Sequence, residues 1–513
     1  MKTLISKYKI AVIAAALLTA ACTSDLSELN TDPNAVGGEQ FNPNFLLTTA
    51  QLRFTGDDFG YETARAQLGY ISAIVQHFAA INWPGDKYLN NPDASSAYFI
   101  TAYPEHVKYI VDVVELTQNK EAVANLHQIA RIWKVVSFHR ITDIYGDVPY
   151  IEAGKGYYDR NFTPAYDPQS EIYIDMLKEL EEATAALDPN GDEPSGDMIF
   201  NGSVDKWKKF GYSMMLRLGL RLSKVDEQLA KSWVEKAIKG GVMQSIDDNA
   251  YILHEDAGRP LANRISYALT TEDELYTRWS KTFIDFLRDN DDPRLHVVAE
   301  LPSGDDDISV QLGMPNGYDF SGNATDISQE PDYPGADGDD KLGFYSRPKH
   351  SVLLKLDAPA FVQTYAEVEL MLAEAKKRGW NVDGTTAEHY NAGVTAAMQT
   401  LVQFDEAAEI DPVDIEDYLT THPYVDAQGF DMINTQYWAA TILNDYESFA
   451  NWRRSGFPVL NPVNYPNNAT GGEIPRRLIY PLSEASSNGD NYNDAIARMG
   501  GNTFLTRVWW DKE

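Results

Sequence analysis

In one stretch of this chain, aromatic side chains lie close in sequence to amide side chains, and this combination suggests a binding site. Asn82, Trp83 and Tyr88 lie in a stretch rich in Gly, Pro and Asn, after a helix that we predict to end near Ala80. A flat aromatic face can stack on the C–H groups of a sugar ring, and amides can bind its hydroxyls. We therefore predict that this loop contacts a carbohydrate. The alternative is that Trp83 fills the core beneath the loop.

A second set of aromatic residues offers the same chemistry together with a guanidinium group. Tyr276, Arg278 and Trp279 are close in sequence, and Tyr318 lies in a long irregular stretch further along the chain. A guanidinium donates hydrogen bonds in a fixed fork and suits hydroxyl or carboxylate oxygens. We predict these four residues as further glycan contacts.

Motifs for catalysis are missing from the sequence. It contains no Gly-x-Ser-x-Gly elbow, no phosphate-binding Gly-x-x-x-x-Gly-Lys loop, no His-Glu-x-x-His pair and no cysteine placed as a nucleophile. The nine histidines are scattered without ligand spacing. Two carboxylates suffice for a glycosidase, but the 76 acidic residues do not single out a pair. We predict a protein that is not an enzyme, with a surface glycosidase as an alternative.

Two acidic runs could offer oxygen ligands to Ca²⁺, which is the only metal that the sequence suggests. They are residues 288–293, with Asp289, Asp291 and Asp292, and the run that begins at Asp305. Neither run has the spaced acids and closing glutamate of the twelve-residue calcium loop. Each is more typical of a solvated turn, so we predict no cofactor and keep a structural Ca²⁺ as the alternative.

The charge balance excludes one class of partner. The chain has 43 basic and 76 acidic residues, a formal net charge of −33. Nucleic-acid binding requires clustered Lys and Arg against the phosphates, and no such cluster is present. A strongly acidic protein instead favours neutral or cationic ligands.

The amino terminus resembles a bacterial lipoprotein leader that ends at the only cysteine, Cys22. Three lysines precede an apolar run from Ile10 to Leu18, and Ala20 and Ala21 come directly before Cys22. The run is shorter than the roughly 20 residues of a membrane span. We predict a signal peptide over 1–21, a tether over 22–44 lipidated at Cys22, and one domain over 45–513. The alternatives are a transmembrane helix or an ordinary secretory leader with a free thiol.

Apolar spacing predicts a mainly α-helical domain. Residues repeat at helical intervals on one face, and Asp167-Pro168 and Thr385 with Glu388 carry the signals of helix starts. A helix, a turn and a second helix over roughly 40 residues resemble a tetratricopeptide unit. The predicted helices are 122–138, 171–187, 207–222, 229–238, one with Phe361, Tyr365, Val368, Leu372 and Ala375 on its face, and 387–401.

Two long stretches show no helical period. The first, 301–351, is rich in Gly, Asp and Pro but also in aromatic residues, which favours an ordered loop packed on the surface. The second extends from Asp445 to the end and includes Trp452, Arg453 and Arg454. Arginines beside tryptophan can stack and pair with carboxylates at once. We predict that they join this loop-rich region to the helices rather than bind a ligand.

Blocks of sequence, in order over nearly the whole chain, resemble the SusD/RagB family of nutrient-binding outer-membrane lipoproteins, most closely its SusD-like branch. They follow the lipoprotein leader and end with the Trp509-Trp510 pair. The blocks are Leu29–Asn34, Asp143–Tyr150 with Glu152, Tyr166–Gln169 with Ile172 and Tyr173, Trp207–Arg221, Asp292–Arg294, Tyr365–Ala375, Trp452–Pro458 and Ile474–Pro481.

The resemblance implies a tetratricopeptide-like superhelix of helix pairs with a loop-rich remainder. It also implies a noncatalytic role at the cell surface: such proteins bind oligosaccharides, or peptides in the RagB branch, and cover a SusC-like TonB-dependent transporter as a hinged lid. Members of the family often place a binding tryptophan in the loop that corresponds to Trp83. The implied location is the outer membrane, lipid-anchored and facing the exterior.

Overall fold

Helices make up most of the backbone, and their apolar faces follow the spacing that the sequence predicts. A computed structural model describes residues 41–55, 61–258, 260–335 and 341–513. The predicted leader, Cys22 and residues 22–40 of the predicted tether lie outside these described residues. Within the described part of the chain, no helix is long and apolar enough to cross a membrane.

Of the four helices predicted in the first half, three begin and end within three residues of the predicted bounds, whereas the helix predicted over 122–138 continues to Tyr145. Leu126, Ile129, Trp133 and Val136 of the 122–138 prediction are all buried. The helices are α1 (Asn44–Thr55), α2 (Tyr61–Ala66), α3 (Ser72–Ile74), α4 (Pro92–Ala102), α5 (Lys108–Thr117), α6 (Ala124–Tyr145), α7 (Gly156–Asp159), α8 (Gln169–Ala186), α9 (Val204–Arg221), α10 (Glu227–Gly240) and α11 (Arg264–Tyr267).

The second half continues with helices and contains most of the short strands. The helices are α12 (Lys281–Asp289), α13 (Arg294–Val298), α14 (His350–Leu353), α15 (Tyr365–Lys377), α16 (Thr386–Thr400), α17 (Pro412–Thr421), α18 (Gly429–Ala440), α19 (Asp445–Ser455), α20 (Glu484–Ser487) and α21 (Gly489–Met499). The strands of the whole chain are β1 (Phe78–Ala80), β2 (Ala250–Leu253), β3 (Thr277–Trp279), β4 (Ala299–Glu300), β5 (Arg347–Pro348) and β6 (Pro359–Gln363).

Consecutive helices pack against each other as pairs, which confirms the predicted mainly α, tetratricopeptide-like architecture. Helix α5 packs on α6, α9 on α10, α15 on α16 and α18 on α19. Further contacts of α8 with α6 and α9, and of α15 with α18, join the pairs. Each pair buries its apolar face on the next, as in helical-repeat proteins. Residues 44–513 form one compact unit.

The strands are short and pair two by two. The antiparallel ladders are β1 with β3, β2 with β6, and β4 with β5. Two predictions near them are wrong. The segment before Ala80 is β1 rather than the end of a helix, and Phe361 lies in β6, so the helix that it was predicted to join begins only at Tyr365.

The helix-start predictions have different outcomes. The capping box at Thr385 is confirmed, because Thr385 N–H donates to Glu388 Oε2 (2.7 Å) and Glu388 N–H donates to Thr385 Oγ1 (3.2 Å). Asp167 does not cap α8; its carboxylate accepts from the backbone N–H of Tyr150 and Ile151. Asp147, from a neighbouring loop, accepts from Gln169 N–H at the start of α8 instead.

The region after Asp445 is more helical than predicted. Helix α19 covers Asp445–Ser455, and the polar side chains of Asp445, Glu447, Asn451 and Arg454 on it are all buried. A surface helix is recognised in a sequence by its separate apolar and polar sides. Polar residues occupy the inward face of α19, so its sequence lacks this signal. The structural role that we predict for its arginines is confirmed: Arg454 forms two hydrogen bonds with Glu374 of α15 (2.5 and 2.6 Å).

The irregular stretch 301–351 is an ordered loop, as predicted, in the part that the structure describes. Its residues form a small apolar cluster of their own against the end of β1. The cluster contains Ala79, Ile81, Met314, Ile327, Leu342 and Tyr345, with Leu312, Tyr318 and Tyr333 packed against it. The loop is therefore attached to the strand that precedes Asn82 and Trp83.

Candidate functional site

The ladder between β1 and β3 brings together the two stretches of sequence that contain most of the predicted glycan contacts. Phe78 pairs with Trp279, and Ala80 pairs with Thr277. The pairing continues one residue beyond β1, where Ile81 N–H donates to the carbonyl of Tyr276 (3.1 Å). Asn82 and Trp83 therefore leave the sheet beside Tyr276.

Trp83 is partly exposed and held in place by a hydrogen bond. Its Nε1–H donates to Asp273 Oδ1 (2.8 Å), and the exposed Asn82 donates to the same oxygen (3.3 Å). Burial raises the pKa of Asp273, whose side chain is enclosed by this loop. A Cβ added to Gly69 would lie 3.1 Å from the indole ring, so the ring packs closely on the backbone there. Trp83 is thus positioned at the surface and is not one of the buried core residues.

Tyr276 and Tyr318 also keep part of their rings accessible. Tyr276 is 37% exposed, and Tyr318 is half-buried. The buried ammonium group of Lys87 donates to the carbonyls of Ile81 (3.1 Å) and Tyr318 (3.3 Å). One lysine therefore holds the long loop against the residue next to Asn82, which places Tyr318 beside the Trp83 stretch.

Three of the predicted contact residues lie in the interior, and for them the prediction of a glycan contact is wrong. Tyr88, Arg278 and Trp279 are between 0% and 3% exposed. Trp279 stacks on Phe78, and its Nε1–H donates to the carbonyl of Val298. Arg278 donates to the carbonyls of Leu342 and Glu274, and the hydroxyl of Tyr88 accepts from Val463 N–H. These side chains hold the ladder and the loops together and present no face to a ligand.

A groove of about 600 Å³ opens at the Phe78 end of the ladder, on the side of Tyr318. We call it the tyrosine groove, because Tyr318 and Tyr465 form part of its wall. Its size falls in the usual range of ligand sites. It is lined by Gln76, Lys281, Thr282, Asp285, Pro315, Asn316, Gly317, Tyr318, Ala324, Thr325, Asn461, Pro462, Val463, Asn464 and Tyr465.

Tyr465 and its neighbours are residues of the groove that the sequence predictions missed. The half-buried Tyr465 donates through its hydroxyl to Asp319 Oδ2 (2.6 Å). Although burial alone would raise it, hydrogen bonds from Ser321, Tyr465 and Thr325 lower the pKa of Asp319 to about 2. The available signal was the run from Asn461 to Asn468, where a tyrosine lies among Asn and Pro as Trp83 does in its own loop.

The polar groups of the tyrosine groove suit a neutral ligand that has many hydroxyls. The charged residues of its wall neutralise each other, since Lys281 Nζ lies 2.6 Å from Asp285 Oδ2. Asn461 and Asn464 are exposed on one wall, and Asn316 lies on the other. Exposed amides, hydroxyls and two partly exposed tyrosine rings are the groups that bind sugar hydroxyls and sugar faces.

The two acidic runs offer no assembled calcium site. Asp292 pairs with the buried Arg294 through both of its oxygens, and Asp306 pairs with Lys349 (2.6 Å). Among the residues that the structure describes, no group of three or more His, Cys, Asp or Glu side chains is arranged to hold a metal ion.

Comparison with known proteins gives one family and a consistent fold. A family model named SusD-like_2, described as starch-binding and associating with the outer membrane, matches residues 33–481. A solved structure of a chitin-binding protein is 33% identical, with a TM-score of 0.81, over 92% of this chain and 100% of that chain. A SusD-like protein described as Bacteroidetes AC2a is 27% identical, with a TM-score of 0.81 and the same coverage.

More distant structures agree in fold. A SusD homolog from Bacteroides vulgatus ATCC 8482 is 23% identical, with a TM-score of 0.76, over 92% of this chain and 98% of that chain. No curated protein matches the chain.

Proposed function

The chain belongs to the SusD-like family, and from this premise we propose that it is a noncatalytic glycan-binding lipoprotein of the outer membrane. In this proposal it captures oligosaccharides at the cell surface and delivers them, as a hinged lid, to a SusC-like TonB-dependent transporter. Lipid attached to Cys22 anchors it to the membrane, with the glycan surface facing the exterior.

One observation carries the proposal: partly exposed aromatic rings and exposed amides are gathered around one short ladder. Trp83 and Tyr276 lie at the Ala80 end of the β1–β3 ladder, and Tyr318 and Tyr465 lie along the tyrosine groove. Sugar rings stack on such faces, while the amides of Asn82 and Asn464 can bind hydroxyl or acetamido groups.

Chitin oligosaccharides are the first ligands to test. The solved chitin-binding protein is 33% identical over 92% of this chain, and the family model is described as starch-binding. The net charge of −33 disfavours long acidic polysaccharides. We therefore propose a neutral glycan, with N-acetylglucosamine oligomers ahead of glucose oligomers.

Calorimetry with chitohexaose and maltohexaose tests the proposal through two variants. We expect Trp83→Ala and Tyr318→Ala each to weaken binding by about tenfold, because a stacked aromatic contributes on the order of 1 kcal/mol beyond its buried area. Tyr157→Ala is the matched control: its ring is 88% exposed and lies outside both ends of the site, so its affinity should equal that of the unmodified protein.

Three outcomes would contradict parts of the proposal. Equal affinity in Trp83→Ala, Tyr318→Ala and the control would remove this surface as the glycan site. Release of reducing sugar by the purified protein would make it a surface glycosidase. Binding of peptides but of no glycan would make it a peptide-binding lipoprotein of the RagB type.

A further inference from the structure

An open pocket of about 360 Å³ lies between segments 99–103, 149–164 and 481–488, and it shares no residue with the tyrosine groove. We call it the proline pocket, because Pro149, Pro164 and Pro481 line it. The apolar part of its wall also includes Ile100 of helix α4 and Phe162 from the loop after α7. Its volume lies in the range of ligand sites, so an apolar side chain from outside can be buried there.

Large apolar side chains around the proline pocket remain exposed to water. The ring of Phe162 is 80% exposed, and Ile100 is exposed as well. Ile151, Tyr157 and Leu482 are also exposed, and each is next in sequence to a residue of the pocket wall. A group of exposed apolar side chains rimmed by polar residues is typical of an interaction surface. A small ligand inside the pocket would not cover the flanking side chains, so this surface suits a macromolecule.

Hydrogen bonds between the three segments hold the wall of the pocket in place without a partner. The hydroxyl of Tyr103 donates to the carbonyl of Pro149 (2.8 Å), and the side-chain amide of Asn488 donates to the carbonyl of Pro164 (2.8 Å). The exposed ring of Phe162 is therefore presented by a segment that is fixed at both ends. A preformed surface loses less conformational freedom when it binds.

The charged groups of the wall are both carboxylates. Glu152 and Glu484 line the pocket, and none of the described residues that line it is Lys, Arg or His. Glu152 Oε2 accepts from Asn161 Nδ2 (2.8 Å) and from the backbone N–H of Ala165 (2.9 Å). Glu484 Oε2 accepts from the hydroxyl of Tyr166 (2.7 Å). Neither carboxylate forms an ion pair within the part of the chain that the structure describes.

The cations beside these segments have other positions or other partners. Lys155 lies 3.6 Å from Glu115, and Arg498 lies 2.9 Å from Asp147. Arg160 is exposed and does not line the pocket. The two carboxylates of the wall thus keep their negative charge available to a partner.

This negative charge distinguishes between possible partners. Burial raises the pKa of Tyr103 in the wall, and the charge of Glu484 raises it further. An anionic lipid surface attracts Lys and Arg, which the described wall lacks. Two copies of the chain facing each other here would oppose like carboxylates, and each copy carries a net charge of −33. A different protein that presents a cation beside an apolar side chain matches both parts of the surface.

We propose that the proline pocket and the exposed side chains around it bind a partner protein. The bound segment of that partner places an apolar side chain in the pocket and a lysine or arginine against Glu152 or Glu484. Burial of apolar area supplies affinity, and the charge pair supplies specificity. The inference does not rest on the glycan site, because no residue of that site lines the pocket.

Selection of phage-displayed random dodecapeptides on the purified protein tests this surface, because a peptide can reproduce one segment of a partner. We expect enriched peptides that combine an apolar residue with a neighbouring Lys or Arg. In fluorescence polarisation they should bind at least tenfold more weakly to Phe162→Ala, a change at an exposed position that leaves the core intact. Phe320→Ala is the matched control, since Phe320 is an exposed aromatic residue outside the pocket. Its affinity should be unchanged.

A second pair of variants tests the charge. We expect the double change Glu152→Gln and Glu484→Gln to weaken binding of the same peptides at least tenfold, because both charges are removed while the amide oxygens can still accept hydrogen bonds. Glu416→Gln, at an exposed position of α17, is the control and should bind normally. Replacement of the peptide's Lys or Arg by norleucine should weaken binding to the unmodified protein by a similar factor.

Four results would overturn the inference. They are the absence of any selected peptide whose binding depends on Phe162, dependent peptides without Lys or Arg, full affinity in the folded double variant, and another occupant of the surface. The other occupant would be a second copy if sedimentation showed a dimer that Phe162→Ala dissociates. It would be a lipid surface if Phe162→Ala abolished binding to phosphatidylglycerol vesicles.

One further pair of titrations separates this inference from the proposed function. The selected peptides should bind Trp83→Ala as they bind the unmodified protein, and Phe162→Ala should keep full affinity for chitohexaose. A protein that binds these peptides through Phe162 but binds no oligosaccharide would leave the inference in place and contradict the proposed function.

Discussion

Arg454 and Glu374 are the residues that join helix α19 to helix α15 through a fully buried ion pair. The guanidinium donates to both carboxylate oxygens and also to Asn434 and Asn451. Although burial alone would raise the pKa of Glu374, the charge and hydrogen bonds of Arg454 lower it well below its usual range. Arg454 without Glu374 would be an unpaired buried ion, whereas Glu374 also pairs with Arg378 (2.8 Å).

Removal of one partner should therefore strongly destabilise the protein. We expect Glu374→Gln to lower the free energy of unfolding by about 3–5 kcal/mol, since Arg454 keeps its charge and loses its carboxylate. Chemical denaturation at pH 7 measures the effect. Glu416→Gln, at an exposed position of α17, is the control and should change stability by less than about 0.5 kcal/mol. A loss below about 1 kcal/mol in Glu374→Gln would show that the pair is not a major link.

The lowered pKa of Glu374 predicts part of the loss of stability at acid pH. Because the pKa of Glu374 is lower in the folded state, its contribution is fully present above the unfolded value of about 4.3 and is lost as pH falls toward the folded value. The difference in stability between the unmodified protein and Glu374→Gln should thus shrink below about pH 4. Denaturation curves between pH 3 and pH 7 measure it, and a constant difference would contradict the assignment.

The short turn that presents Trp83 is the element on which the proposed glycan surface depends. Gly85 begins a helical turn over Gly85–Lys87, and a Cβ on it would lie 2.3 Å from Tyr70 Cα and 2.4 Å from the carbonyl oxygen of Gly69. The same stretch of backbone supports the indole ring of Trp83 at Gly69. Any side chain on Gly85 must therefore push the turn, and Trp83 with it, away from the backbone of Gly69 and Tyr70.

We expect Gly85→Ala to cost about 1–3 kcal/mol of stability, as overpacking against backbone usually does. It should also weaken binding of chitohexaose, because the turn that sets the position of Trp83 moves. Thermal unfolding and calorimetry measure the two effects. Gly489→Ala is the control: no atom lies within 4 Å of the added Cβ, so neither property should fall. Normal affinity in Gly85→Ala would show that the turn does not set the position of Trp83.

Anchoring and ligand capture are separate properties of the whole molecule in the proposed function. The proposed lipidation site Cys22 precedes the compact unit 44–513, which contains the proposed glycan surface. Several acyl chains hold a protein at a membrane, whereas a sugar contacts only the folded surface.

Replacement of the anchor should therefore uncouple the two properties. We expect Cys22→Ala to leave the affinity for chitohexaose unchanged in the purified protein while the protein leaves the membrane fraction of cells that express it. Fractionation, calorimetry and uptake of labelled oligosaccharide measure the three consequences. Loss of affinity in Cys22→Ala would contradict the separation, and continued membrane association would contradict lipidation at Cys22.

The sequence by itself determined the helical architecture, because the apolar faces of helices such as α6 and α8 repeat at helical spacing over many residues. It also determined the family resemblance, and it suggested the Trp83 loop as a binding loop, because the composition of that loop is local information. It could not reveal α19 as a helix, since buried ion pairs replace the apolar face on which periodicity depends.

Only the tertiary structure decided which aromatic residues remain accessible. Trp279 and Arg278 are close in sequence to Tyr276, yet pairing of β3 with β1 buries them and leaves Tyr276 at the surface. Tyr465 joins Tyr318 in one groove from a distant part of the chain. Exposure and pairing are set by contacts between distant segments, and local sequence patterns carry no record of those contacts.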